Sequence, residues 1–315
     1  MDKITYAGLL NKTLELYEKN GSLKAYRYIT ENAEKVKGNQ AQIYNFRYSL
    51  ASASGLEQEA LQILDEAVLE NGFWYEYDYL IEDDDLKPLH KYDEFQKMIK
   101  LCKEREESAK SGTQPELKIL KGSNDLDDQP LIIALHGNQE NSEITEAHWN
   151  SIVSENNILA LPQSSQIEFS DGYVWDDVEK GSNELKLHYE RILEQNNVDP
   201  ETVIVGGFSA GASVALHSIL NDRLSAKGFI FVAPWLPEID EWDGLLHKLS
   251  EAGIKGFILC GDKDEDCFEG SSKFAKLLEE KNIAHQFKVV RDLDHEYPEN
   301  FNQIIKEAIE YIRES

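Results

Sequence analysis

The pattern of apolar and polar residues divides the chain into two parts with different periods. Up to about residue 110, apolar residues recur at the spacing of amphipathic helices. Glycines interrupt this pattern, and because glycine commonly ends helices, they mark the predicted boundaries. The helices predicted in this part end near Gly21, Gly38, Gly55 and Gly72, and a last one covers about Asp93–Lys110. The polar segment Ser111–Gln114 is the predicted linker.

Paired helices of this length, separated by glycines, resemble tetratricopeptide-type helical hairpins. A generic helical bundle is the alternative, because two full copies of a repeat cannot be aligned. We therefore predict an all-α helical-hairpin domain over residues 1–112, which is also a candidate site for a protein partner. Its aromatic segment Phe73–Leu80 has two interpretations. It either restricts the mouth of an active site in the second half or closes the core of the helical domain.

From residue 115 onward, short apolar runs alternate with amphipathic helical stretches. Alternation of this kind predicts an α/β domain, residues 113–315, with a mostly parallel sheet flanked by helices. The predicted strands lie within residues 116–120, 130–137, 157–162, 202–208, 228–234, 256–262 and 285–290.

The central motif is a GxSxG sequence over residues 207–211, which places Ser209 between the β-branched strand 202–205 and a helix of small residues. A nucleophile on such a sharp turn adopts strained backbone angles, and its neighbours must be small. Ser209 is therefore the candidate nucleophile. The alternative is an ordinary serine in a glycine-rich turn.

A second motif, Leu135-His136-Gly137-Asn138, ends an earlier strand. The tetrahedral intermediate of acyl transfer needs two backbone N–H donors for its oxyanion. In this architecture one comes from the residue after the nucleophile, Ala210, and the other from this loop, for which Asn138 is the candidate. His136 is expected to order the loop rather than to react.

The acid and the base are expected after the last two strands. An acidic cluster over residues 262–266 follows one of them, and Asp264 is the preferred acid because a turn can aim it back over the strand ends. Asp262 is the alternative. His295, in the loop after the last strand, is the candidate base. The order Ser209, Asp264, His295 is the chain order of α/β-hydrolases.

With these motifs in place, residues from about 116 to 313 resemble the phospholipase/carboxylesterase branch of the α/β-hydrolase superfamily, which includes acyl-protein thioesterases. The resemblance rests on LIIALHGN, ALPQSSQ, GYVWDD, VDPETVIVGGFSAGAS, GDKDED and DHEYP. It implies a serine hydrolase that cleaves small-molecule esters or thioesters through an acyl-enzyme on Ser209. Many relatives carry glutamine after the nucleophile, where this chain has Ala210. Side-chain contacts with the substrate are therefore expected to differ.

Trp175 and Trp235 each follow a predicted strand, where ligands bind in open α/β sheets, and are candidates for substrate contact or for packing. The chemistry requires neither a metal nor an organic cofactor. Two other functions are open: a serine peptidase acting on small peptides, and a protein that binds a partner through its helical half while its hydrolase half is incidental.

Charge and composition restrict the kinds of partner and the cellular compartment that can be expected. The formal net charge of -27 disfavours phosphate backbones, so nucleic acid is not expected. No apolar stretch approaches the roughly 18 residues of a membrane span, and the N-terminus lacks a signal-peptide pattern. The three cysteines include no CxxC pair, which disfavours a disulfide framework or a zinc site and favours the cytoplasm.

Overall fold

The computed structural model describes residues 4–122, 130–155, 157–196 and 198–314. The chain divides into two compact units. The first comprises Met1–Thr113 and Gln166–Tyr173, and the second comprises Gln114–Ser165 and Val174–Ser315. The short segment Gln166–Tyr173 thus belongs to the first unit, although the sequence pattern placed it in the second domain.

Helices α1 to α6 form most of the first unit. Their bounds are α1 Tyr6–Asn20, α2 Ser22–Asn32, α3 Gln40–Ala53, α4 Glu57–Asp65, α5 Tyr77–Glu82 and α6 Asp93–Gly112. Local hydrogen bonds define their starts: Thr5 Oγ1 accepts from the Gly8 N–H at 2.9 Å, and Asn39 Oδ1 accepts from the Gln42 N–H at 3.2 Å. The N-terminal all-α region predicted from the pattern is confirmed.

The strands and remaining helices follow. The strands are β1 Glu116–Leu120, β2 Leu131–Leu135, β3 Ile158–Gln163, β4 Gln166–Phe169, β5 Gly172–Val174, β6 Ile204–Phe208, β7 Gly228–Val232, β8 Lys255–Gly261 and β9 His285–Val290. The helices are α7 Ser142–Trp149, α8 Val178–Gln195, α9 Ala210–Leu220, α10 Ile239–Trp242, α11 His247–Glu251, α12 Phe268–Glu280 and α13 Phe301–Arg313.

Seven of the strands form the sheet of the second unit, in the order β1-β3-β2-β6-β7-β8-β9. Strand β1 runs antiparallel to β3, and the pairs from β3 to β9 are parallel. Side chains of β2 alternate between two apolar cores. Leu131, Ile133 and Leu135 face the core that includes residues of α8, α9 and α12, while Ile132 and Ala134 face the core that includes residues of α7 and α13. The predicted mostly parallel sheet flanked by helices is confirmed.

The hairpin of β4 and β5 was not predicted. Phe169 is buried in the apolar core of the helical unit together with Trp74 and Tyr75. The backbones of Trp74 and Ser170 are joined by a hydrogen bond of 3.1 Å from the Ser170 N–H to the Trp74 carbonyl, and Ser170 Oγ accepts from the Trp74 N–H at 2.8 Å. The burial of Trp74 and Tyr75 agrees with the interpretation in which the aromatic segment closes the helical core.

In the described parts of the chain, no helix has both the length and the apolar character needed to cross a membrane.

Candidate active site

The predicted nucleophile lies on a strained turn between β6 and α9. Ser209 has φ 51° and ψ -124°, a positive-φ conformation that residues other than glycine rarely adopt. Its hydroxyl caps none of the N–H groups of α9, which begins at Ala210. The turn is held by its backbone, since the Ser209 N–H donates to the Val232 carbonyl at 3.0 Å and the Ser209 carbonyl accepts from the Trp235 N–H at 3.2 Å.

The glycines of the motif are required by close backbone approach. A Cβ on Gly207 would lie 2.6 Å from the Ala212 nitrogen, and a Cβ on Gly211 would lie 2.4 Å from the His136 carbonyl oxygen. Both contacts are with backbone and cannot be relieved by a side-chain rotation. The small residues around Ser209 therefore let the turn form and let the loop after β2 lie against α9.

Asp264 and His295 come together at the ends of β8 and β9. Their side chains form a hydrogen bond of 2.8 Å between His295 Nδ1 and Asp264 Oδ2. Asp264 is 1% exposed, and its other oxygen accepts from the Cys267 N–H at 2.9 Å. The imidazole of His295 also packs against the ring of Phe208, the residue before Ser209, with ring centroids 4.8 Å apart.

Burial lowers the pKa of His295, but the hydrogen bond and the charge of Asp264 outweigh it, so the net shift is upward. The alternative acid, Asp262, is exposed, and its carboxylate has a different hydrogen-bond partner. Its Oδ1 accepts from the Asp292 N–H at 2.7 Å, which ties the β8 loop to the loop that carries His295.

Among the described residues, Asp264, Cys267 and His295 have potential metal-ligating atoms that all lie within 4.8 Å of one another. Burial, followed by the charge of Asp264, raises the pKa of the Cys267 thiol. A thiol must lose its proton to serve as a good ligand. The group therefore has the chemistry of a hydrogen-bonded carboxylate–imidazole pair beside a neutral thiol.

The loop after β2 is held by side chains on both flanks. His136 is fully buried, and burial lowers its pKa to about 4. Its Nε2 accepts from the Ser164 N–H at 3.2 Å, so the imidazole is neutral and orders the loop as expected. Asn138 bonds forward in the chain: Oδ1 accepts from the Trp175 N–H at 2.8 Å and Nδ2 donates to Asp176 at 3.0 Å.

The two candidate tryptophans differ in exposure. Trp175 is 2% exposed, donates its indole N–H to the His136 carbonyl at 2.8 Å and stacks on the His136 ring. It therefore packs beneath the loop after β2. Trp235 is 43% exposed, while its backbone is bonded to Ser209 through its N–H and to the Ser213 hydroxyl through its carbonyl.

One polar residue at this site was not predicted. Glu140, in the loop after β2, is 8% exposed, and its carboxylate accepts from the Gly137 N–H at 3.0 Å. The hydrophobic pattern gives no signal for it, because an acidic residue in a loop is by default expected on the surface. Its position four residues after His136, just beyond the motif that ends β2, was the available sign.

The sheet order, the turn at Ser209 and the Asp264–His295 pair define the class of α/β-hydrolases. The family model of the A/B hydrolase-like N-terminal domain matches residues 5–110, and that of Phospholipase/Carboxylesterase matches residues 170–313. The chain carries a phospholipase/carboxylesterase domain together with an A/B hydrolase-like N-terminal domain, and it is a hydrolase of the esterase type.

Several known proteins are similar to this chain. An uncharacterised protein from Bacillus cereus ATCC 10987 is 54% identical over 98% of this chain and 100% of its own, with a TM-score of 0.58. Esterase PE8 shares 17% identity over 63% of this chain and 99% of its own, with a TM-score of 0.55. The Bacillus cereus carboxylesterase shares 18% over 65% and 98%, with a TM-score of 0.50. The latter two show the fold alone. An uncharacterised protein of Rickettsia prowazekii is 24% identical over 58% of this chain and 78% of its own length.

Proposed function

We propose that the protein hydrolyses small-molecule carboxylic esters or thioesters through an acyl-enzyme on Ser209. The observation that carries this proposal is the strained turn at Ser209, whose preceding residue Phe208 packs against His295, together with the hydrogen bond from His295 to buried Asp264. A serine hydroxyl is a weak nucleophile until a neighbouring base takes its proton, and the base needs an acid to hold its tautomer.

The steps follow from these roles. Ser209 Oγ attacks the carbonyl carbon of the substrate while His295 Nε2 takes the hydroxyl proton. Asp264 keeps the remaining proton on Nδ1 and stabilises the imidazolium. The intermediate collapses as His295 gives its proton to the leaving alcohol or thiol. Water then attacks the acyl-enzyme with His295 again as base, which releases the carboxylic acid and restores Ser209.

The oxyanion of each intermediate is assigned to the backbone N–H groups of Asn138 and Ala210. Ala210 is the first residue of α9, and the first N–H groups of a helix have no acceptor within the helix. Asn138 is supported through its side-chain bonds to residues 175 and 176. Trp175 would then act by supporting this loop, and Trp235, which is exposed and whose backbone N–H bonds to the Ser209 carbonyl, would contact the substrate.

The test is turnover by the full chain on p-nitrophenyl esters of increasing acyl length, with matched thioesters and p-nitroanilides as the other arms. Ser209→Ala should lower kcat by roughly 10⁴–10⁶ and remove fluorophosphonate labelling. Ser250→Ala, an exposed serine on α11, is the matched control and should behave as wild type. Labelling that persists in Ser209→Ala would overturn the assignment. Faster cleavage of anilides than of esters would instead favour a peptidase.

A further inference from the structure

The inference concerns the buried carboxyl of Glu140, which the mechanism above does not use. A glutamate is rarely buried without a partner, because burial penalises its charged form. Here burial raises the pKa of Glu140 to about 7, against the opposing effects of the Gly137 hydrogen bond and of the His295 charge. The carboxylate accepts from the Gly137 N–H, and the Glu140 N–H donates to the Gly137 carbonyl at 3.3 Å. Glu140 thus closes the turn that contains Asn138.

The surroundings place this carboxyl on the same aromatic cluster as the base. A Cβ on Gly137 would lie 2.7 Å from the Phe208 ring and 3.2 Å from Glu140 Oε2, so all three groups border one small space. The Phe208 ring in turn contacts His295 and Tyr297, each with centroids 4.8 Å from its own. The loop after β2 and the loop after β9 therefore meet at Phe208, directly before Ser209.

We propose that Glu140 is a positioning residue of the esterase: its carboxyl group holds the Gly137–Asn138 backbone in place for the oxyanion and, when ionised, supplies a second negative charge that favours the imidazolium of His295. This inference rests on the function proposed above. No bond to Glu140 is made or broken in it. The residue would act through Gly137 and His295 alone.

The pKa values of His295 and Glu140 depend on each other and on further charged groups nearby. Asp264, Glu140 and Asp266 each raise the pKa of His295 against the effect of burial. On the other side, the charge of His295 lowers the pKa of Glu140, and Glu140 raises that of Tyr297 further above the value that burial gives it. The acid limb of the activity profile therefore belongs to a coupled pair.

The experiment is the pH profile of kcat and kcat/KM for Glu140→Gln in the full chain. The amide oxygen can still accept from Gly137, so the loop is retained and the charge is lost. The acid limb should move to lower pH by about one unit, since the imidazolium loses a favourable charge. The plateau kcat should fall roughly tenfold. The imidazolium that forms in the transition state loses the same stabilisation, and one unit of pKa corresponds to that factor.

The matched control is Glu184→Gln. Glu184 is 7% exposed and accepts from the Ser165 N–H at 3.2 Å, so it is a second buried glutamate that holds a loop. Its carboxylate bonds to the backbone and hydroxyl of Ser165, whereas the charges that raise the pKa of His295 come from Asp264, Glu140 and Asp266. This variant should leave the acid limb where wild type has it.

An acid limb in Glu140→Gln at the wild-type pH would overturn the inference, as would equal shifts in both variants. If Glu140→Gln fails to fold by circular dichroism, Glu140→Asp decides. Its shorter carboxylate keeps the charge and loses reach to Gly137, so kcat should fall while the limb stays, and an unchanged kcat would refute the role. Failure of the proposed function would appear separately, as turnover retained in Ser209→Ala.

Discussion

Asp264→Asn tests the proposed acid directly, and the structure predicts the mode of failure. Besides the weak S–H donor of Cys260 at 3.8 Å, an asparagine at this position faces two stronger donors, the Cys267 N–H and His295 Nδ1–H. Its single oxygen can satisfy only one of them. The backbone N–H cannot change its state, whereas the imidazole can move its proton to Nε2. The amide therefore turns its oxygen to Cys267 and its NH₂ to His295 Nδ1.

That choice leaves the proton of His295 on Nε2, the nitrogen that must accept from Ser209. The wrong tautomer lowers kcat by about 10⁴ in a comparable triad, or roughly 5 kcal/mol of transition-state stabilisation. Because Asp264 is 1% exposed, water cannot readily take the place of the lost contact. KM should change much less, since Asp264 is not assigned a contact with the substrate.

The matched variant is Asp262→Asn. Asp262 is exposed, and the oxygen of an asparagine there can still accept from the Asp292 N–H. Its kcat should lie within about twofold of wild type, as for most surface substitutions. Both variants are assayed on one p-nitrophenyl ester, with circular dichroism as the check on folding. An Asp264→Asn enzyme within tenfold of wild type, or an Asp262→Asn enzyme equally impaired, would refute the assignment of the acid.

Two further predictions concern the pKa of His295 and the burial of Phe169. Since neutral His295 is the working base and its pKa is raised, kcat/KM should climb with pH along a limb centred above the ordinary histidine value of about 6.5, and a profile flat from about pH 5 to 8 would contradict this. Phe169→Ala should destabilise the helical unit by about 3 kcal/mol, because it empties a site in its core, whereas Leu187→Ala on an exposed face of α8 should cost little. Hydrogen exchange of α3 and α6 would measure the first effect, and unchanged protection there would refute it.

The sequence pattern predicted each of the seven strands in the described sheet, because each contains a short apolar run bounded by turn residues. Strands β1 and β9 have the predicted limits, and Ser209 lies at the predicted junction of β6 and α9. The limits of a strand and its junction with a helix depend on residues that are close together in the sequence, so the local pattern is enough to predict them. The start of helix α8 at Val178 is likewise local, because Asp177 Oδ1 accepts from the Lys180 N–H at 2.8 Å and caps the helix.

Contacts between side chains from distant loops could not be predicted in the same way. Spacing alone left Asp264 and Asp262 both open as the acid, and the contact with His295 depends on how two loops approach each other. The contact is possible because Gly261 passes against Leu293: a Cβ on this glycine would lie 2.1 Å from the Leu293 carbonyl oxygen. Glu140 was missed for a related reason. It lies near Phe208, the last residue of the distant strand β6, so its burial depends on a long-range contact.

The β4–β5 hairpin shows how a long-range contact can override a local pattern. Its residues carry a usable signal, since Asp171-Gly172 is a frequent turn pair and Asp171 has φ 59°. Its assignment to the helical unit has no such sign, because Ser170 bonds with Trp74 and Asn39, which are far away in the chain. Gly172 lets the Phe169 ring fold back, since a Cβ there would lie 2.4 Å from that ring. A cut at residue 112 would therefore separate Phe169 from the core of the helical unit, which is complete only with a segment from the second half of the sequence.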